Sequence, residues 1–199
     1  MEAGVRQGCP LSPLVYAVTA EFLLEKIEQE VAGVLVKAYA DDTALVVRNF
    51  WEAAPILADI FKDFQQISGL RLNKGKSIVV PLSTTDLQEF ANRKLDEVPA
   101  WGDMPVQSSC KYLGYMMGPG KGDQSWTGPY NKFLNRVNAW ADLPLGLYWD
   151  IRTFNTFAIT VLGYVASLEE PPAWVLQGIK DTVKKVAKGP NRWVSAEDL

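Results

Sequence analysis

Asp41 and Asp42 stand side by side between two short apolar runs, in the order Tyr39-Ala40-Asp41-Asp42. Two carboxylates held this close repel one another, and any burial raises the cost of keeping both ionised. A divalent cation removes the conflict, and hard oxygen donors of this kind suit Mg²⁺. Paired ions of that type support in-line displacement at phosphorus by activating the attacking oxygen and stabilising the leaving one. An isolated Asp-Asp pair is more simply a turn, because Asp favours turns. The flanking residues decide between the two readings.

Other chemistries are closed to this chain. It contains no His, so neither a Ser–His–Asp triad nor a Cys–His pair can form. Cys9 and Cys110 lie far apart with no CxxC pair, which argues against zinc and for a reduced, intracellular protein, leaving nuclear and cytoplasmic placement open. Acid–base work would fall to carboxylates, Lys, Tyr or water. The longest uncharged apolar stretch, residues 156–168, is shorter than the ~20 residues of a membrane span. No signal peptide is expected, since Met1 is followed by polar and charged residues and an early Pro10.

The acids need elements to hold them. Residues 34–38 and 43–47 are rich in β-branched and apolar types, which predicts a β-hairpin with both acids at its turn. Upstream, residues 5–13 form a Gly/Pro-punctuated loop. Ser12 then offers a capping hydroxyl and Pro13 a first helical residue. Val15, Val18, Phe22, Ile27 and Val31 follow at helical spacing, and Gly33 ends the run. Downstream, Ile56, Leu57, Ile60, Phe61, Phe64 and Ile67 share one helical face, closed by Gly69. Residues 70–73, 77–82 and 112–116 read as strands.

Residues 118–130 are rich in Gly, Pro and polar types and read as a linker or long loop. Helices are predicted beyond it at 132–141, 152–168 and 173–188. The fold expected is therefore α+β, with residues 1–117 mixed and residues 118–199 helical. Of 199 residues 48% are hydrophobic, enough for one sizeable core or two small ones. The seven Trp are expected to be mostly buried or packed against a partner. A net charge of −3 and a pI near 5.1 count against tight autonomous nucleic-acid binding.

The flanks of the acid pair settle its reading. Gly4-Val5-Arg6-Gln7-Gly8-Cys9-Pro10-Leu11-Ser12-Pro13 leads into a helix and then into the acid-tipped hairpin. Ser68-Gly69-Leu70-Arg71-Leu72-Asn73 follows, with Lys76-Ser77 just beyond, and then Lys111-Tyr112-Leu113-Gly114. In this order and spacing the segments resemble motifs B, C and D and the primer-gripping strand of reverse transcriptases, specifically the non-LTR (LINE-type) retrotransposon branch. The resemblance covers roughly residues 4–116.

It implies a partial polymerase palm, an antiparallel sheet with packed helices, followed by a helical thumb-like or connecting region. It implies RNA-directed DNA polymerase chemistry with Mg²⁺ held by Asp41, the main ligand, and Asp42, its weaker companion. Tyr39 resembles the residue beside the primer end. Arg6, Gln7 and Gly8 resemble the loop against the templating base and the incoming dNTP. Lys76 resembles a proton donor or electrostatic partner of the departing pyrophosphate, and Tyr112 and Gly114 resemble the primer grip. The partners implied are an RNA template, a DNA primer and a dNTP.

Several of these residues also have plainer readings. Gly8 and Pro10 could only shape a turn, Lys76 could be a solvated strand-edge charge, and Tyr112 could be core. Arg71, Lys74 and Lys76 could touch phosphates, whereas Lys184, Lys185 and Lys188 suit the solvated end of a helix.

The family carries a further catalytic Asp on a palm strand before motif B. Asp59, Asp63, Asp86, Glu89, Asp150 and Asp181 do not have that setting. The chain alone is therefore expected not to polymerise, to need the N-terminal polymerase half as a partner, and to leave the hairpin with an exposed edge. A polymerase fragment competes with two other readings: a duplex-gripping module without chemistry, and a catalytically silent interaction protein whose Trp-rich helical half supplies the surface.

Overall fold

The computed structural model describes residues 8–83, 86–141, 143 and 146–186. The fold is α+β, and the chain divides into two compact units, Met1–Gly120 and Lys121–Leu199.

In the first unit, α1 (Ser12–Glu30) leads into a hairpin of β1 (Leu35–Tyr39) and β2 (Asp42–Val46). Ser12 is the first helical residue rather than the cap; Leu11 holds the cap position and offers no side-chain hydrogen bond. Pro13 lies in the first turn as expected, where a missing N–H is harmless. The strands are antiparallel, in the register Leu35↔Val46 to Tyr39↔Asp42. Val34, Val36, Leu45 and Val47 line the core side, and Leu35 and Val46 face outward, more than two-fifths exposed. The period of two in side-chain direction therefore holds through both strands.

α2 (Phe50–Ser68) begins on Asn49, whose side chain accepts from the Trp51 N–H at 3.1 Å, and ends on Gly69. Its buried face is Ala53, Ala54, Leu57 and Ile60, whereas Ile56 and Ile67, expected on that face, are exposed. The two alanines are what permit close approach, and the larger residues sit just off the contact line. Together with Ile27 and Val31 of α1, and with Val98, Trp101 and Met104, these residues form the core.

The stretch after α2 departs from expectation. Residues 70–73 form no strand; the chain turns over residues 74–76, held by the Lys76 N–H on the Asn73 carbonyl at 3.1 Å. Of residues 77–82 only Val79 bridges, in parallel, to Val106. α3 (Leu87–Glu97) was not foreseen. Asp86 caps it, accepting from the Gln88 and Glu89 N–H groups at 2.7 and 3.2 Å, which satisfies N–H groups a helix start leaves open.

Lys94 on α3 is 2% exposed, and its ammonium donates to the carbonyls of Trp101, Gly102 and Met104 at 2.6, 2.9 and 2.6 Å. Trp101 in turn donates its indole N–H to the Ala54 carbonyl at 2.6 Å and meets Phe61 edge-on. A second hairpin follows, β3 (Cys110–Tyr112) with β4 (Tyr115–Met117).

In the second unit, α4 (Gln124–Ala141) begins inside the expected linker and carries Pro129 within it. The proline removes one helical hydrogen bond, and burial of Trp126, Phe133 and Val137 along one face offsets the loss. The expected helix at 152–168 is broken into α5 (Leu147–Thr153), a π turn (Phe154–Ala158), a 3₁₀ turn (Ile159–Leu162) and α6 (Gly163–Ala166). α7 (Ala173–Val186) packs on α4. Lys188 lies outside the described residues.

Of the Trp residues, Trp101 and Trp126 are buried and Trp51 half-buried. Trp140, Trp149 and Trp174 are exposed by 39, 56 and 41%, each with its ring against another aromatic, so the burial alternative of the expectation does not hold for these three. No described helix is long and apolar enough to cross a membrane.

Candidate active site

The β1–β2 hairpin closes through a two-residue loop, Ala40 and Asp41. Ala40 has φ +52°, and positive φ at the first loop position is what the right-handed twist of the strands requires. Asp41 therefore occupies the turn, and Asp42 is the first residue of β2 rather than a second turn residue. Cross-strand partners share a face, so Asp42 lies on the outward face with Tyr39, which is 68% exposed.

The loop is tied to α1. The Tyr16 hydroxyl donates to the Ala40 carbonyl at 3.2 Å. Partial burial, and then the Asp41 carboxylate nearby, push the Tyr16 phenol above its ordinary pKa. The second hairpin reaches the first through Tyr112, whose hydroxyl donates to the Lys37 carbonyl at 3.2 Å. Tyr16 was not singled out from the sequence: a tyrosine in an apolar helical run gives no signal of a partner 24 residues away.

The other expected residues fall in several places. Tyr112 is half-buried and bonded to the acid hairpin, but Gly114 is not in its strand. Gly114 forms the turn of the β3–β4 hairpin with Leu113, at φ +88° and +47°, so the expected strand 112–116 is a reversal of the chain. Two positive φ values in a row make glycine the fitting residue there.

Lys76 is an exposed turn residue, not a strand-edge charge. Among the described residues no hydrogen bond or ion pair joins its ammonium to Asp41 or Asp42. Gly8 is exposed in the turn before α1, with φ +91°. Arg6 and Gln7 lie outside the described residues.

The acid pair supplies the donor type a hard divalent cation needs, but not the number. Among the described residues no group of three His, Cys, Asp or Glu is placed to hold a metal ion. Asp63 is paired with Lys26 at 3.1 Å, and Asp86 is committed to its helix cap. Asp41 and Asp42, two adjacent carboxylates with no third acid beside them among the described residues, do not by themselves complete a metal site.

One comparison bears on the whole of this unit. The profile of the family described as Reverse transcriptase (RNA-dependent DNA polymerase) matches residues 1–117.

Proposed function

The chain belongs to the reverse transcriptase (RNA-dependent DNA polymerase) family, and from that premise we propose that it is a part of a retrotransposon polymerase of the non-LTR kind. In this reading it works on an RNA template and a DNA primer with a dNTP. Asp41 is the ligand it brings to a Mg²⁺ site, with Asp42 as a weaker companion. The observation that carries the reading is the fixed hairpin tip. Tyr16 and Tyr112 bond two backbone carbonyls of the same acid-tipped hairpin, one in the turn beside Asp41 and one in β1. The Gln7-Gly8 loop leading into α1 and the run from Ser68 to Asn73 support the non-LTR assignment by type and spacing.

Two adjacent carboxylates are too few for two-metal catalysis. The 199 residues by themselves are therefore proposed not to extend a primer, and the site needs a carboxylate from a further apolar strand. Primer extension on an RNA template with Mg²⁺ tests both halves. The chain alone is expected to give no product. The same residues joined to such a strand are expected to extend the primer, and Asp41→Ala in that polypeptide to cost on the order of 10³-fold, since metal ligation contributes several kcal/mol. Extension by the isolated chain, or activity indifferent to Asp41, would overturn the proposal.

A further inference from the structure

α5 of the second unit carries Tyr148, Trp149, Asp150 and Arg152 within two turns. At 100° per residue, Tyr148, Trp149 and Arg152 fall within one third of the helix circumference, and Asp150 falls opposite. The structure follows this division. Tyr148 is 64% and Trp149 56% exposed. Asp150 is half-buried and lines a small crevice with Trp140 and Phe154.

The three outward side chains are organised together. Tyr148 and Trp149 meet edge-to-face, with centroids 5.2 Å apart at 80°. Arg152 donates to the Tyr148 hydroxyl at 2.9 Å, and its guanidinium lies 5.9 Å from the centre of the Trp149 ring. A cation is thereby held at the edge of two open aromatic faces, while the one acid of the helix is turned away.

We propose that this surface stacks unpaired bases of single-stranded RNA, a contact separate from the acid hairpin; the choice of ligand rests on the family reading above. Aromatic faces beside an arginine suit a strand that offers both a π-face and a phosphate at each step. A duplex keeps its base faces covered and is held mainly through many phosphate contacts, which a single Arg does not supply.

The test is fluorescence anisotropy of a labelled oligo(U) with the full chain in EDTA, so that the metal site plays no part. Trp149→Ala is expected to weaken binding about 5- to 100-fold, Trp149→Phe to restore most of it, and Tyr164→Ala, an exposed aromatic on α6, to leave it unchanged. A duplex of equal length should bind more weakly. With about one phosphate neutralised, log K should fall with log salt at a slope near −0.7.

Absence of oligo(U) binding, or affinity unchanged in Trp149→Ala with native circular dichroism, would sink the proposal. So would a Trp149→Ala effect on self-association in gel filtration with RNA affinity intact, which would make the face a protein interface. Failure of Asp41-dependent extension would leave this result standing, and the reverse holds equally.

Discussion

Replacing Lys94 by Met keeps the length of the aliphatic stem and removes the charge and all three donors. In the native chain the three ammonium protons meet three carbonyls, of Trp101, Gly102 and Met104. At about 1.5–3 kcal/mol for each charged hydrogen bond, the ceiling on the loss is about 9 kcal/mol. Two facts reduce it. The Trp101 carbonyl keeps a second donor, the Met104 N–H at 3.0 Å, and Gly102 lies where the bond is only partly buried, within reach of water. Burial also lowers the pKa of Lys94, so the ammonium is itself held at a desolvation cost that Met does not incur.

The floor is the Met104 carbonyl, left buried without this donor, at about 1–3 kcal/mol. The expected net loss is about 2–4 kcal/mol, a large share of the 5–15 kcal/mol typical of a domain. Urea unfolding should show a midpoint lower by about 1–2 M at an m-value of about 2 kcal/mol/M. The Val98 amide, bonded to the Lys94 carbonyl at 3.0 Å, should lose exchange protection in parallel. A midpoint within about 0.3 M of the parent would refute the reasoning, because the carbonyl cluster would then be tolerating the loss of the donor it shares.

Tyr16 supplies a pH test. Its folded pKa is raised, so the stabilisation its phenol gives is fully present below pH 10.0 and is lost as pH climbs through the higher folded value. Absorbance at 295 nm should show one tyrosine titrating late, and Asp41→Asn should move it part of the way back, since burial is the larger cause. Gly118→Ala should cost about 3 kcal/mol or more, read by thermal unfolding. A methyl there would stand 2.6 Å from the Ser108 carbonyl oxygen and 2.8 Å from the Ser109 Cα, at φ +118°. Tyr112→Phe should leave the unfolding free energy within about 1 kcal/mol of the parent in urea, while amide exchange in β1 rises as the link to Lys37 is lost.

The acid hairpin was legible because alternation in strands is a short-range pattern, and both strands follow it to within a residue at each end. α1 and α2 were legible from apolar spacing, although in the first half of α1 the apolar side chains face outward: Val18 and Phe22 are 52 and 67% exposed. Spacing tells which residues share a face, not whether anything covers it.

α3 was missed because its surface is polar and its one buried anchor is a lysine, a residue almost never fully buried unless paired. The partners of that lysine are backbone carbonyls, which carry no sequence signal. Residues 132–141 of α4 read as helix and are one, but its first turns, from Gln124, read as linker because Gly128 and Pro129 are ordinarily breakers, and the burial of Trp126 and Phe133 overrides them. Tyr112 was picked by resemblance and proves bonded to the acid hairpin. Gly114 was picked in the same way and proves a turn residue, since a tight reversal and a strand share the same few letters.

The saturated ammonium of Lys94 also has a consequence for covalent chemistry. A lysine attacks an acylating reagent through a free lone pair on a nitrogen the reagent can reach. Lys94 has neither while its three protons are directed at carbonyls and its side chain is enclosed. Exposed amines such as Lys76 and Lys111 would react at once, and Lys94 only in the moments when α3 lifts from the 101–104 loop. The rate at which that single amine becomes labelled would then serve as a clock for the opening of the first unit, without any engineered probe.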